Sequence, residues 1–483
     1  MEYLLTPHNI DRRIFIKGMG FISAGLLLGT LGGCEELAES IKNRPTRRRL
    51  RTGSAAVDAD IATYKEAVRL MKKLSVDDPA DPRGWDKQAA IHGTVAGGFN
   101  FCQHNTDHFF SWHRAYLFYF EKICQELTGN KKFGLPYWNW NQNPDINPAF
   151  LDVTSPLFLA RTRNSVAGFS PTTTAALDPI FTDTNFFTFG PQIEGTPHNN
   201  VHGIIGATMG TGGSALDPVF WTHHCMVDYC WYKWNVDLGN NNTNDAGWLG
   251  TSWNHFFDAN GNPANITAGI TTIMPLLSYQ YEGSTIGSHA AALVIKTKKD
   301  FQKIEKRIRA GAAIKFDIQQ RLPVADTATI SISKPFSIET KASAAELARI
   351  INNDMAKEKV FARIQYASLP PTSDFFVRVF INMQQASAGT STEDPHFAGT
   401  FAFFGTEAPD NMPANGHHHE PRFLVDITNI LQKLKRAGNL TDGDPISMQL
   451  VAVPFSGQFE KPETEIRLNK IELIVTPVII NAR

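Results

Sequence analysis

Six histidines between residues 92 and 224 fall into two groups of three: His92, His104 and His113, then His198, His202 and His224. Neutral imidazole serves zinc, copper, iron and nickel alike, so these residues point to a pair of metal ions without naming the metal. Their spacing says which elements must carry them. His198 and His202 are four residues apart, which on a helix sets both rings on one face, one turn apart. His104 and His113 are nine apart, a rotation that would send them to opposite faces of a continuous helix. His104 is therefore expected in the loop before a helix and His113 inside it. Pro197 stands directly before His198 and is expected to open the second helix, where its missing N–H costs nothing. DPVFWTHHCMVDYCWYKW would form a final helix bringing His224 from the opposite side. Helix pairs converging on a buried metal centre make a four-helix bundle the expected frame.

Other histidines nearby have plainer roles. His108 lies between two of the candidate ligands and is expected behind the site or at the surface. His223 and His224 are adjacent and point about a quarter-turn or more apart on a helix, so only one of them is expected to enter. His92 stands only twelve residues before His104, a short connection.

The sequences around the histidines narrow the metal. HRAYLFYFE, LPYWNW and DPVFWTHHCMVDYCW, in that order, resemble the type-3 copper proteins: tyrosinases, catechol oxidases and hemocyanins. The resemblance covers roughly residues 85 to 235. It implies two copper ions, held by His92, His104 and His113 and by His198, His202 and His224, the second of the adjacent pair. It also implies that dioxygen oxidises phenols there: monophenols hydroxylated beside their hydroxyl, o-diphenols taken to o-quinones. Glu194 and Asn199 match the positions where the family holds a water that takes the phenol proton; the position of Glu194 also suits a plain carboxylate at a helix N-terminus. Cys102, in CQH, matches the Cys-x-His of family members with a thioether to the ligand, here His104. Before the HisHis pair, where plant catechol oxidases place a bulky phenylalanine, this chain has Thr211, Gly212 and Gly213, so an open approach for substrate is expected. The alternatives are a catechol or o-aminophenol oxidase with no monophenol step, and an oxygen carrier of hemocyanin type.

The rest of the chain frames this centre. With 483 residues it is too long for one core, and a net charge of −1 offers no case for nucleic acid. All nine tryptophans lie between Trp85 and Trp253, and no cysteine follows Cys230, a shift that sets a boundary after residue 253. The expected divisions are 1–33, a signal segment; 34–60, a flexible tether; 61–285, the mainly helical dicopper domain; and 286–483, a β-sandwich. DRRIFIK followed by FISAGLLLGTLGG resembles a twin-arginine export signal, and LGGC, ending at Cys34, a bacterial lipobox. Lipid attachment at Cys34 would make the protein an extracytoplasmic or periplasmic lipoprotein, with a lipid anchor as its only membrane contact.

Beyond residue 285 the periodicity changes from helical to twofold. Val377, Val379, Ile381 and Met383 alternate with Arg378, Phe380 and Asn382, and Ile330 and Ile332 alternate with polar neighbours. Only ASAAELARIIN and FLVDITNILQKLKRA read as helices there. DFFVRVFINM, HFAGTFAFFG and ISMQLVAVP to IELIV resemble the C-terminal domain of plant polyphenol oxidases, which implies an intramolecular lid over the copper cavity. The triplet His417–His419 reads as an exposed turn, and Cys124, Cys225 and Cys230 receive no role.

Overall fold

The computed structural model describes residues 43–96, 98–284, 290–311, 318–405 and 420–478. Cys34, the export segment and His417–His419 lie outside the described residues. Helices dominate up to residue 311 and two antiparallel sheets dominate beyond it.

Helix α1 (Ala55–Asp77) lays Val57, Ile61, Tyr64, Val68 and Met71 along one stripe, which packs on α3 (Phe109–Thr128). Between them, α2 (Trp85–His92) ends at the first histidine. Helix α3 is buried almost all round and packs in turn against α6 (Pro218–Tyr232), which Asp217 caps by accepting from the Val219 N–H.

Pro197 does not open a helix. Helix α4 (Phe186–Ile193) runs through a π-turn (Glu194–His198) straight into α5 (Asn199–Ile205), with Pro191 and Pro197 both inside the run. Proline has no N–H to give to the carbonyl four residues back, and a widened turn absorbs that loss without ending the helix.

The segment expected to be a tether is part of the fold from residue 43. Thr46–Arg47 pairs in parallel with Gln280–Tyr281, and Arg47 is fully buried. Its guanidinium meets Glu121 (2.9 Å) and Asp228 (3.1 Å) and lies 3.6 Å from the centre of the Tyr279 ring. Arg114 reaches the other oxygen, Asp228 Oδ1, at 2.5 Å, and the Tyr279 and Tyr281 hydroxyls each donate to Oδ2, the oxygen Arg47 meets, at 2.6 Å. Burial opposes ionisation of Asp228, yet Arg114, Arg47 and the two hydroxyls outweigh it and hold the carboxyl below its ordinary range. In sequence the basic run RPTRRRLR reads as a solvated stretch; its second arginine, Arg47, is a core residue.

The later half holds more helix than its periodicity suggested. Helix α7 (Ala290–Ala310) sets Phe301, Ile304 and Ile308 against the helical core of the first half. Helix α8 (Ala344–Ile351) carries a capping box between Ser343 and Glu346. FLVDITNILQKLKRA splits: Arg422–Asp426 is a strand and only Thr428–Arg436 is helical, as α9.

Nine strands make the two sheets: β1 (Gln320–Ala325), β2 (Ala328–Ser331), β3 (Phe336–Glu339), β4 (Glu358–Tyr366), β5 (Phe375–Ile381), β6 (Phe397–Ala402), β7 (Arg422–Asp426), β8 (Ser447–Pro454) and β9 (Glu465–Pro477). One runs β7–β4–β9–β1, with β2 also on β9; the other runs β6–β5–β8–β3. Their facing residues, among them Val360, Ile364, Val377, Val379, Phe401 and Leu473, share one apolar core. The alternation along β5 stops at Ile381, because Asn382 takes a left-handed backbone (φ 52°). Nor is it an inside-out alternation. Phe375, Val377, Val379 and Ile381 face the other sheet, while Phe376 joins Ala402, Phe404 and Phe455 in the core of the helical half. The sheets are therefore continuous with the helices through buried apolar surface.

Removing Asp228 would leave Arg47 and Arg114 buried without their shared counter-charge. Asp228→Ala should cost about 3–5 kcal/mol, seen as a lower denaturation midpoint of the full chain; an unchanged midpoint would show that the cluster is dispensable.

Candidate metal centre

All the candidate histidines come together. His92 ends α2, His104 sits in the turn before α3, His113 lies in the first turns of α3, His198 and His202 flank the junction of the π-turn with α5, and His224 comes from α6. His104 is 5% exposed and the other five less. The short connection from His92 is a tight hairpin: Gly93–Thr94 pairs with Gly98–Phe99, which turns the chain back so that His104 faces His92.

The rings form two groups of nitrogens able to hold a metal: His92, His104 and His113; and His198, His202, His223 and His224. The groups touch, with His113 stacked on His224 (ring centres 4.4 Å apart, 15° between planes) and His104 on His198 (5.2 Å, 27°). The second group departs from expectation, because both members of the adjacent pair reach it.

Hydrogen bonds fix which nitrogen faces inward. His92 Nδ1 meets the Gly212 carbonyl (2.8 Å), His113 Nδ1 the Phe109 carbonyl (2.8 Å) and His202 Nδ1 the Met209 carbonyl (2.7 Å). His198 Nδ1 meets Asn199 Oδ1 (2.7 Å) and His104 Nδ1 meets Glu194 Oε1 (3.2 Å). All five partners are acceptors, so each ring carries its proton on Nδ1 and presents an Nε2 lone pair to the centre. There His92 Nε2 lies 3.1 Å from His104 Nε2, lone pair to lone pair, and His113 and His198 Nε2 have no protein partner; His202 Nε2 lies 3.3 Å from Nε2 of His224, whose Nδ1 no acceptor holds. Facing acceptors without a proton between them are what a metal ion would satisfy.

Burial pushes every ring toward its neutral, ligating form, His92 to about 4 and His198 to about 3. In His104, His113, His202 and His224 burial, followed by repulsion among neighbouring imidazoles, takes the pKa well below its ordinary value. The donor set of neutral nitrogens suits copper.

Glu194 opens the π-turn and Asn199 follows it, so both reach the rings of ligand candidates. Glu194 Oε1 also accepts from the Asn105 N–H (2.7 Å), yet burial outweighs this and pushes its pKa up to about 8. Asn199, oriented by His198, donates its amide to the Ala402 carbonyl (2.7 Å) at the end of β6.

Thr211–Gly213 plays a different part from the one expected. A Cβ on Gly212 would stand 2.4 Å from the Gly98 carbonyl, and one on Gly213 2.7 Å from the Val95 nitrogen. These glycines let the loop lie against the 93–99 hairpin, where the Gly212 carbonyl holds His92. The approach is not open either. Two residues past β6, Phe404 stacks on His202 (3.8 Å, 26°) and lies 4.9 Å from His104, 5.5 Å from His198 and 6.0 Å from His92. The bulky ring that this loop lacks comes from the C-terminal half. Nothing in the twofold pattern of HFAGTFAFFG separates Phe404 from an ordinary core residue. Cys102 is a buried cysteine without a disulfide partner among the described residues, and His108 stacks on Trp248 (5.3 Å), outside both groups.

Comparison with known proteins agrees with this geometry. Residues 82–167 and 147–237 match the family model for the common central domain of tyrosinase. A tyrosinase from Hahella sp. (strain CCB-MM4) is 26% identical, over 86% of this chain and 97% of its own. Chloroplastic polyphenol oxidase C of Solanum lycopersicum is 26% identical, over 89% of this chain and 75% of its own. Latent apple tyrosinase shares the fold, with a TM-score of 0.63 at 20% identity over 90% of this chain and 97% of that one. Two groups of buried imidazoles in this frame define a type-3 copper protein. Residues 82–237 are a tyrosinase-family central domain; the protein is a copper oxidoreductase, and its cofactor is a pair of copper ions.

Gly212→Ala should push the loop off the hairpin and withdraw the carbonyl behind His92. Loss of such an outer partner costs about 10–100-fold in metal affinity, so one copper should weaken and the other stay. Two coppers bound at wild-type affinity would show that the carbonyl does not matter.

Proposed function

We propose that this copper oxidoreductase ortho-hydroxylates monophenols and oxidises o-diphenols to o-quinones, with dioxygen as oxidant, and that its C-terminal half restrains it. His92, His104 and His113 would hold one copper, and His198, His202 and His224 the other. Bound copper supplies the binding and reduction of dioxygen; the protein supplies a dry cavity, orientation and the proton path.

The observation that carries the monophenol step is the placement of Glu194 and Asn199. The two flank one π-turn, each within a hydrogen bond of the ring of a proposed ligand. A monophenol must lose its hydroxyl proton before it can be attacked. Burial raises the basicity of the Glu194 carboxylate, so in its ionised form it can take that proton directly or through one water. Asn199 would hold that water by its amide. In the latent arrangement the amide is taken by Ala402 and the face of His202 by Phe404, so the lid blocks both the proton path and the ring pocket. We read the ligand-bearing helices as a four-helix bundle and the two sheets as a β-sandwich shield.

A thioether between Cys102 and His104 would fix the one ligand borne by a turn. It should leave the copper-matured chain about two hydrogens lighter and Cys102 closed to alkylation after unfolding; a freely alkylating Cys102 would exclude it. Export by the twin-arginine route and lipid on Cys34 complete the reading. Among the described residues no helix is long and apolar enough to cross a membrane.

Asn199→Gly and Glu194→Gln should each lower monophenol turnover by on the order of 10²–10⁴ and diphenol turnover far less, with copper content unchanged. Equal losses on both substrates would assign these residues to the cavity and not to the proton path. A wild type that oxidises catechol but no monophenol, even with the lid cleaved, would be a catechol oxidase; one that binds dioxygen reversibly and turns over neither would be a carrier.

A further inference from the structure

His223 is the residue of the centre that neither the two-group ligand set nor the proton path uses. It is fully buried, with no hydrogen-bond partner for Nδ1 or Nε2. A polar ring in that position is costly unless something else satisfies it. It is not aimed away from the centre. One of its nitrogens, with one each from His198, His202 and His224, belongs to a set lying within 4.8 Å of one another. Its ring stacks on His198 (5.3 Å, 23°) and stands edge-on to His202 (4.8 Å, 85°).

Two nitrogens bound to one ion at about 2.0–2.1 Å cannot be more than about 4.2 Å apart. A tetrahedral site is tighter still, with its nitrogens about 3.3 Å apart, so the four rings, whose nitrogens lie within 4.8 Å of one another, must draw together by up to about 1.5 Å on binding. Four neutral nitrogens suit a d10 ion, which has no ligand-field preference and accepts them tetrahedrally. Cuprous copper is such an ion.

The rings also divide by how they are held. His92, His104, His113, His198 and His202 each have Nδ1 pinned by an acceptor, which fixes both tautomer and ring plane. The adjacent pair does not: Nδ1 of His224 has no partner, and neither nitrogen of His223 has one. Five rings are thus held by an outer hydrogen bond, and the adjacent pair is held by packing alone.

Resting on the dicopper reading above, we propose that His223 is a fourth, exchangeable imidazole ligand of the second copper. It closes a four-nitrogen site with His198, His202 and His224 while the copper is taken up in its cuprous form. A fourth nitrogen shields the ion in a buried site, and its release opens a coordination position once the site is complete. The lack of an outer hydrogen bond is what makes that release easy.

The test is a stepwise titration of the full, metal-free chain with Cu(I) against a cuprous chelator, for the wild type, His223→Leu and His223→Gln. The second copper should bind about 10–100-fold more weakly in both variants, and the first should be unchanged. Retention of the second copper within twofold of wild type in either variant would overturn the proposal. The glutamine keeps a polar side chain in place should the leucine variant not fold. A structure of the wild type carrying Cu(I) in the second group alone, before the first is filled, needs no variant: His223 within bonding distance of that copper supports the proposal, and His223 beyond about 3 Å from it overturns it. Failure of the dicopper reading looks different, since the wild type itself would then take up no pair of coppers.

Discussion

The structure depends on a conflict at its centre that it does not resolve with protein atoms alone. Seven imidazoles are buried in mutual contact and burial keeps them neutral; in five of them an acceptor holds the ring proton on the outward Nδ1, so their Nε2 lone pairs face the centre with no proton to share. Such a cluster survives only if the opposite side of each ring is held firmly and the inward side is satisfied by a cation. Much of the local architecture serves the first condition. The 93–99 hairpin and the glycine loop after α5 bring the Gly212 carbonyl to His92, and that loop brings the Met209 carbonyl to His202. The π-turn, carrying a proline that an ordinary helix interior would not tolerate, sets Glu194 and Asn199 beside His104 and His198.

Behind the rings a second cluster, this time of charges, ties the ligand-bearing helices together. Asp228 is one turn beyond His224 on α6, and Arg114 directly follows His113 on α3, so their ion pair couples the two helices that carry facing, stacked histidines. Arg47 enters the same cluster from the N-terminal segment. In front of the rings the closure is apolar. Phe376, Ala402, Phe404 and Phe455 belong to the core of the helical half although they sit in the sheet-forming half. The lid is thus held by core burial over the very atoms it covers, and opening it costs apolar surface as well as the Thr196–Thr400, Asn199–Ala402 and Arg163–Phe455 hydrogen bonds.

The chemistry was legible in the sequence wherever it was local. The i, i+4 pair His198/His202, the turn position of His104 and the helical position of His113 follow from spacing, and the flanking motifs name the metal. What could not be read was long-range or geometric. Pro197 looks like a helix start because sequence does not announce a π-turn. Arg47 looks like part of a soluble tether because its counter-charges, Glu121 and Asp228, lie 74 and 181 residues away. Phe404 looks like one more strand aromatic, and the glycines at 212 and 213 look like an open gate until the hairpin they pack against is seen. The reach of His223 escaped for a similar reason: helical rotation separates neighbouring rings by angle but does not say how wide the metal cluster between them is.

Oxygen uptake by the copper-loaded full chain, with tyramine and with catechol, before and after limited proteolysis, tests the central account most directly. Uptake should be low in the intact chain and rise after cleavage, and it should then proceed with both phenols. A protein holding two coppers that consumes no oxygen with either phenol, cleaved or intact, would contradict it.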